Sequence, residues 1–113
     1  MFADILPDIS LEELSQRLTC AKPPVLAEIL GPKYYESGHL PGAINLPLEG
    51  FAERAVELLP DKQAEIVVYC ASATCNNSHI ARRKLVSLGY TNVRVFSGGK
   101  AAWRDAGHGL IAA

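Results

Sequence analysis

Cys70 closes the run Ile66-Val67-Val68-Tyr69-Cys70, and Cys75 and His79 follow it at Cys-x4-Cys-x3-His spacing. A four-residue apolar run rich in β-branched side chains reads as a buried strand. The polar stretch Ala71-Ser72-Ala73-Thr74-Cys75-Asn76-Asn77-Ser78 cannot continue that strand. Asn77 or Ser78 is expected to cap what comes next. From His79, Ala81, Leu85 and Leu88 recur at helical spacing until Gly89. Cys70 is therefore expected where a strand gives way to a loop that wraps toward a helix N-terminus. Backbone N–H groups and the helix dipole favour an anion there, and a cysteine so placed tends to be a thiolate nucleophile.

The second cysteine has two readings. Cys75 could attack a persulfide or sulfenate on Cys70 and leave a disulfide, or it could be a small loop-filling side chain. A zinc site would need a fourth ligand such as His39, and the spacing matches no common zinc pattern, so no metal centre is expected. His79 could stabilise a thiolate as a cation or be a solvated first-turn residue. Glu28 either braces the loop by accepting backbone N–H bonds or is a strand-end acid in water. Arg82 and Arg83, near the start of the same helix, could supply charge, with one of them facing solvent. Cys20 reads as structural or exposed, and His39 as a hydrogen-bonded part of a Gly/Pro-rich turn.

Alternating strands and helices must position these groups. Ser10 and Glu13 form a capping-box pattern ahead of a helix with Leu11, Leu14 and Leu18 on one face, ending near Cys20 and Lys22-Pro23-Pro24. Val25 to Leu30 reads as a buried strand carrying one acid. Pro32 opens a helical turn closed by Ser37-Gly38, and Ala43 to Leu46 is a short strand. Phe51, Ala52, Ala55, Val56 and Leu59 mark an amphipathic helix stopped before Pro60. After the central strand and helix come a strand at Val93 to Phe96, the turn Ser97-Gly98-Gly99, and a helix with Ala102, Trp103 and Ala106. His108 to Ala113 reads as a tail. This order predicts a mostly parallel sheet covered on both faces. Its ligand site should lie beyond the carboxyl ends of the strands, where Cys70, Glu28 and Ser97-Gly98-Gly99 converge.

The chain has 113 residues, 49% of them hydrophobic and 20% charged, with a formal net charge of −1. That suits one domain with its own core. The balanced charge argues against a nucleic-acid partner. No apolar run reaches membrane-spanning length, and Met1-Phe2-Ala3-Asp4 lacks the basic start of a signal peptide. Three cysteines do not make a disulfide framework, which points to a reducing cytoplasm.

Several segments carry a family resemblance. Gly38-His39-Leu40-Pro41-Gly42-Ala43-Ile44-Asn45-Leu46-Pro47, Ile66 to Cys70, Gly89-Tyr90-Thr91-Asn92-Val93 and Ser97-Gly98-Gly99-Lys100-Ala101-Ala102-Trp103 resemble, in order, the motifs of rhodanese-like domains. The resemblance spans about residues 8–109. It implies a three-layer α/β/α sandwich with a mostly parallel five-stranded sheet. It also implies a sulfurtransferase or persulfide carrier in which Cys70 accepts a sulfane sulfur and passes it to a thiol. The partners would then be a small sulfur donor and a thiol acceptor, including a protein acceptor, with no metal or organic cofactor required.

The loop departs from the family pattern. It holds no Arg or Lys between Cys70 and His79 and counts about two residues longer than the commonest type. Glu28 and Leu30 stand where an Asp and an Arg are common. Without those cations a thiosulfate dianion is disfavoured as the donor. Phosphatase chemistry, which needs an arginine to grip phosphoryl oxygens, is disfavoured for the same reason. Thiol-redox or polysulfide handling by Cys70 and Cys75, and a non-catalytic interaction domain, remain as alternatives.

Overall fold

A computed structural model describes residues 6–112; Met1 to Asp4, read above for a leader sequence, lie outside the described residues. In chain order the elements are α1 (Leu11–Arg17), β1 (Val25–Glu28), α2 (Pro32–Ser37), β2 (Ile44–Asn45), α3 (Phe51–Leu58), β3 (Ile66–Tyr69), α4 (Asn77–Ser87), β4 (Val93–Phe96) and α5 (Gly99–Asp105). Among the described residues the sheet has four strands in the order β2-β1-β3-β4, every neighbouring pair parallel.

Residue alternation along the strands explains the three layers. On one face Ala27, Ile66, Val68, Val93 and Val95 pack with Phe51 and Ala55 of α3 and Ala81 and Leu85 of α4. On the other, Leu26, Val67, Tyr69 and Phe96 pack with Leu14 of α1 and Trp103 of α5. A strand covered on both faces needs apolar residues at every position, which is why Ile66-Val67-Val68-Tyr69 shows no polar alternation.

Three local expectations are corrected. The resemblance implies five strands, and among the described residues there are four. Beside β4, one backbone bond among the described residues runs from Ile9 N–H to Val95 O at 2.9 Å. Pro7 has no N–H to add to a ladder, and Ser10 already caps α1. The capping box is half made. Ser10 Oγ accepts from Glu13 N–H at 3.1 Å, but the Glu13 carboxylate turns away to Arg94, at 2.6 and 3.0 Å. The tail is docked. Ile111 and His39 exchange backbone hydrogen bonds of 2.8 and 2.9 Å, Trp103 Nε1 donates to Gly109 O at 3.0 Å, and Leu110 packs onto the core.

Strand order also locates the functional edge. The chain leaves β1 for β2 on one side, then crosses to β3 on the other, so the order reverses between β1 and β3. A crevice opens outside the carboxyl ends of strands at such a switch point. Glu28 ends β1 there, paired in register with Tyr69, and Cys70 follows directly.

Candidate active site

Cys70 is 1% exposed, with its sulfur under the loop that its own strand begins. The thiol donates to the Cys75 carbonyl at 3.3 Å and lies 3.5 Å from Ser78 Oγ. Both cysteines are free thiols. The loop holds itself by a turn in which Cys75 N–H donates to Ser72 O at 3.1 Å, and by the Ser72–Thr74 hydroxyl contact at 3.0 Å.

Its base is fastened to α5. Lys100 N–H donates to Cys70 O at 3.0 Å and Ala101 N–H to Ala71 O at 2.9 Å. The β4–α5 turn must come close for this, and Gly99 allows it. At φ +62° a side chain is disfavoured, and a Cβ at Gly99 would stand 2.4 Å from Cys70 O and 2.9 Å from Ser72 N.

Beneath the loop lies a buried polar cluster. Tyr69 Oη donates to Glu28 Oε1 at 2.9 Å and accepts from Leu40 N–H at 3.1 Å. Lys100 Nζ is 2.9 Å from Glu28 Oε2 and donates to Tyr34 O at 2.7 Å. The Lys100–Glu28 contact is a close ion pair whose geometry falls short of an aligned hydrogen bond. Glu28 is 0% exposed, so neither expectation for it holds. It is not in water, and its described partners are Tyr69 and Lys100 rather than loop N–H groups. Burial, first, and then the neighbouring Glu28 charge push the Tyr69 hydroxyl well above its ordinary pKa, although the Leu40 N–H pulls the other way. It stays a proton donor to Glu28.

The expected acidity of Cys70 is also corrected. Burial, and the bond in which its proton goes to Cys75, push Cys70 above the usual thiol range; the hydroxyl and N–H of Ser78 only partly offset them. Cys75, partly exposed, moves the other way. Burial raises it, but the Cys70 thiol and the N–H groups of Asn77 and Ala71 together take it below the usual value.

The remaining candidates divide. Ala71, Ala73 and Thr74 are exposed on the loop, and Ser78 is buried beside Cys70. Asn76, rather than Asn77 or Ser78, is the N-cap of α4, and its side chain makes no capping bond. Asn77 lies inside the helix, its Nδ2 donating to Ile29 O at 3.1 Å, which ties α4 to the end of β1. His79 is partly exposed, and among the described residues no hydrogen bond joins it to Cys70. Arg82 faces away from the loop, bonding Leu6 O at 3.3 Å and Asp8 at 3.2 Å, so it does not support the site. Arg83 is exposed. His39 fits its turn role: Nδ1 is 2.9 Å from Tyr35 O and the two rings stack at 3.8 Å.

Lys100 is the site residue that sequence reasoning missed. Two anomalies could have found it. A lysine in a helix's first turn opposes the dipole and needs an acid, while Glu28 within an apolar strand needs a cation. Each answers the other.

The sequence matches the family model described as rhodanese-like domain over residues 10–106. It is 35% identical over 103 residues to a sulfurtransferase of Allochromatium vinosum, covering 91% of each chain. It is 37% identical over 82 residues to the HTH-type transcriptional regulator Rv0324 of Mycobacterium tuberculosis, covering 73% of this chain but only 35% of that protein. The solution structure of the rhodanese-like domain from the Anabaena sp. Alr3790 protein superposes with a TM-score of 0.83 at 28% identity, over 96% of this chain and 81% of that one.

Proposed function

The chain belongs to the rhodanese-like domain family, and from that membership we propose that it is a sulfurtransferase or persulfide carrier whose cargo is held on Cys70. The observation that carries this reading is the position of Cys70. It stands at the switch point of a parallel sheet, in a loop fastened to α5 through the carbonyls of Cys70 and Ala71, with its sulfur beside Ser78 Oγ and the Cys75 carbonyl. Sulfur transfer needs little more. A thiolate attacks a sulfur–sulfur bond, and polar neighbours hold the resulting persulfide.

The charges near the loop bear on the donor. Lys100 is occupied by Glu28 and Tyr34 O, and Arg82 by Asp8 and Leu6 O. A thiosulfate dianion would find neither cation free, so a small persulfide or polysulfide is the better match, with a thiol or protein thiol as acceptor. Three free thiols suit a reducing cytoplasm. A second reading, thiol-redox or polysulfide reduction through a Cys70–Cys75 disulfide, is favoured by two free thiols in one loop, the Cys70 thiol already reaching the Cys75 carbonyl at 3.3 Å. Single-turnover loading with sulfur donors of different charge, with the sulfur located by fragmentation mass spectrometry, tests the proposal.

A further inference from the structure

The chain ahead of α1 passes around the edge of the sheet. Ile9 N–H bonds Val95 O of the edge strand β4, and Ile9 packs with Leu14 and Trp103 on one face. Three residues earlier the chain has reached α4, which covers the opposite face. Leu6 O accepts from Arg82 Nη1 at 3.3 Å, and Asp8 Oδ1 accepts from the same nitrogen at 3.2 Å. Arg94 holds the carbonyls between them, Pro7 O at 2.9 Å and Asp8 O at 3.2 Å. Two guanidinium groups thus fix three consecutive carbonyls and deliver the chain, at Leu6, to the outer flank of α4.

That flank is unfinished. Arg82, Arg83, Val86 and Ser87 line an open hollow of about 170 Å³ that is almost wholly apolar. Positions i, i+1, i+4 and i+5 share one side of a helix, so the hollow belongs to α4 alone. It begins at the residue that holds Leu6 O. The Arg82 side chain is only 15% exposed, yet its Nε is buried without a partner among the described residues. Arg83 is exposed, and among the described residues it forms no ion pair.

Met1-Phe2-Ala3-Asp4-Ile5 precedes Leu6 and brings an aromatic ring, aliphatic side chains and one acid. Its reach is sufficient. Val86 lies about 6 Å along α4 from Arg82, and the four steps from Leu6 back to Phe2 span up to about 14 Å when extended. The size also suits, since a cavity of about 150 Å³ takes up benzene.

We propose that the segment Met1 to Ile5 is the occupant of this hollow, with the Phe2 ring seated against Val86 and the apolar stems of the two arginines, and Asp4 paired with Arg83. Arginine stems cover apolar surface while their charged ends stay in water, so one short segment meets both needs of the flank. The contact braces from outside the helix whose first turn carries Ser78 beside Cys70. It does not depend on the sulfur chemistry.

NMR of the full chain tests the proposal. The Val86 methyl groups should show nuclear Overhauser contacts to the Phe2 ring and proton signals shifted upfield by its ring current. Phe2→Leu, which keeps an apolar side chain, should abolish that shift. Phe2→Asp should open the Val86 methyls to a dissolved paramagnetic probe that barely reaches them in the wild type. Asp4→Asn should move the Arg83 guanidinium signals. Both Phe2 substitutions fall outside the two cores, so the rest of the spectrum should stay native. Val86 signals indifferent to Phe2→Leu, or methyls equally open to the probe in the wild type and Phe2→Asp, would overturn the proposal. A Val86–Phe2 contact that vanishes on dilution would overturn it too, by making a second copy of the chain the occupant.

Discussion

The Tyr69 hydroxyl donates to Oε1 of the fully buried Glu28 at 2.9 Å, joining the last residues of β1 and β3 at the point where the strand order reverses. The same hydroxyl accepts from Leu40 N–H. The residue immediately before Cys70 is thus fixed on two sides, and Lys100 adds a third tie by reaching Glu28 with its side chain and Cys70 O with its N–H.

Tyr69→Phe removes the hydroxyl and leaves Leu40 N–H and one Glu28 oxygen without partners. Such buried orphans cost about 1–3 kcal/mol each. Urea denaturation should show a loss on that scale, with the fold retained because the ring still packs in the core.

Lys100→Met strands a buried carboxylate. Breaking a buried pair from one side typically costs about 3–5 kcal/mol, and Lys100 is only 11% exposed, so little solvent screening applies. The double variant Lys100→Met/Glu28→Gln should regain part of that loss, because the charge left behind is gone. Equal stability of the single and double variants would show that the pair is not coupled.

Gly99→Ala is expected to act on chemistry more than its size suggests. The new methyl would stand 2.4 Å from Cys70 O, and the position lies at φ +62°. Strain of this kind costs about 1–3 kcal/mol. The loop carbonyls must move off α5, so sulfur loading should fall further than stability does. Loading at the wild-type rate would mean that the close approach does not position Cys70.

The Glu13–Arg94 pair gives a pH test away from the site. The hydrogen bond from Arg94, and then its charge and that of Arg17, hold the Glu13 carboxyl below its ordinary pKa despite an opposing effect of burial. A carboxyl with a lowered folded pKa stabilises the fold above its unfolded pKa, and that contribution is lost as pH falls through the folded value. Glu13→Gln should therefore lower the melting temperature slightly near neutral pH and make no difference in strong acid. The pair is exposed on the Glu13 side, so the effect is small.

Much of this architecture is legible in the sequence because parallel strands and their covering helices leave unambiguous patterns. Ile66 to Tyr69 announces a strand buried on both faces, and Gly98-Gly99 announces a turn. What the sequence hides is non-local. Glu28 and Lys100 are separated by most of the chain, and only the β1–β3 register and the docking of α5 bring them together. Arg82 looks available from its helix position, but Asp8 reaches it from the N-terminal segment. Cys70 follows strand logic, yet its burial outweighs the helix-end effect that favours a thiolate. The docked tail is equally hidden, since the Trp103–Gly109 and His39–Ile111 bonds depend on where α5 and the β2 approach lie.

The most direct measurement is single-turnover exposure of the reduced wild-type chain to a small persulfide, to polysulfide and to thiosulfate, with the bound sulfur located by fragmentation mass spectrometry. Sulfane sulfur should accumulate on Cys70, faster from the persulfide and polysulfide than from thiosulfate, and leave when a thiol acceptor is added. Sulfur found only on Cys20, or no loading from any donor, would contradict a sulfur-carrying role for Cys70.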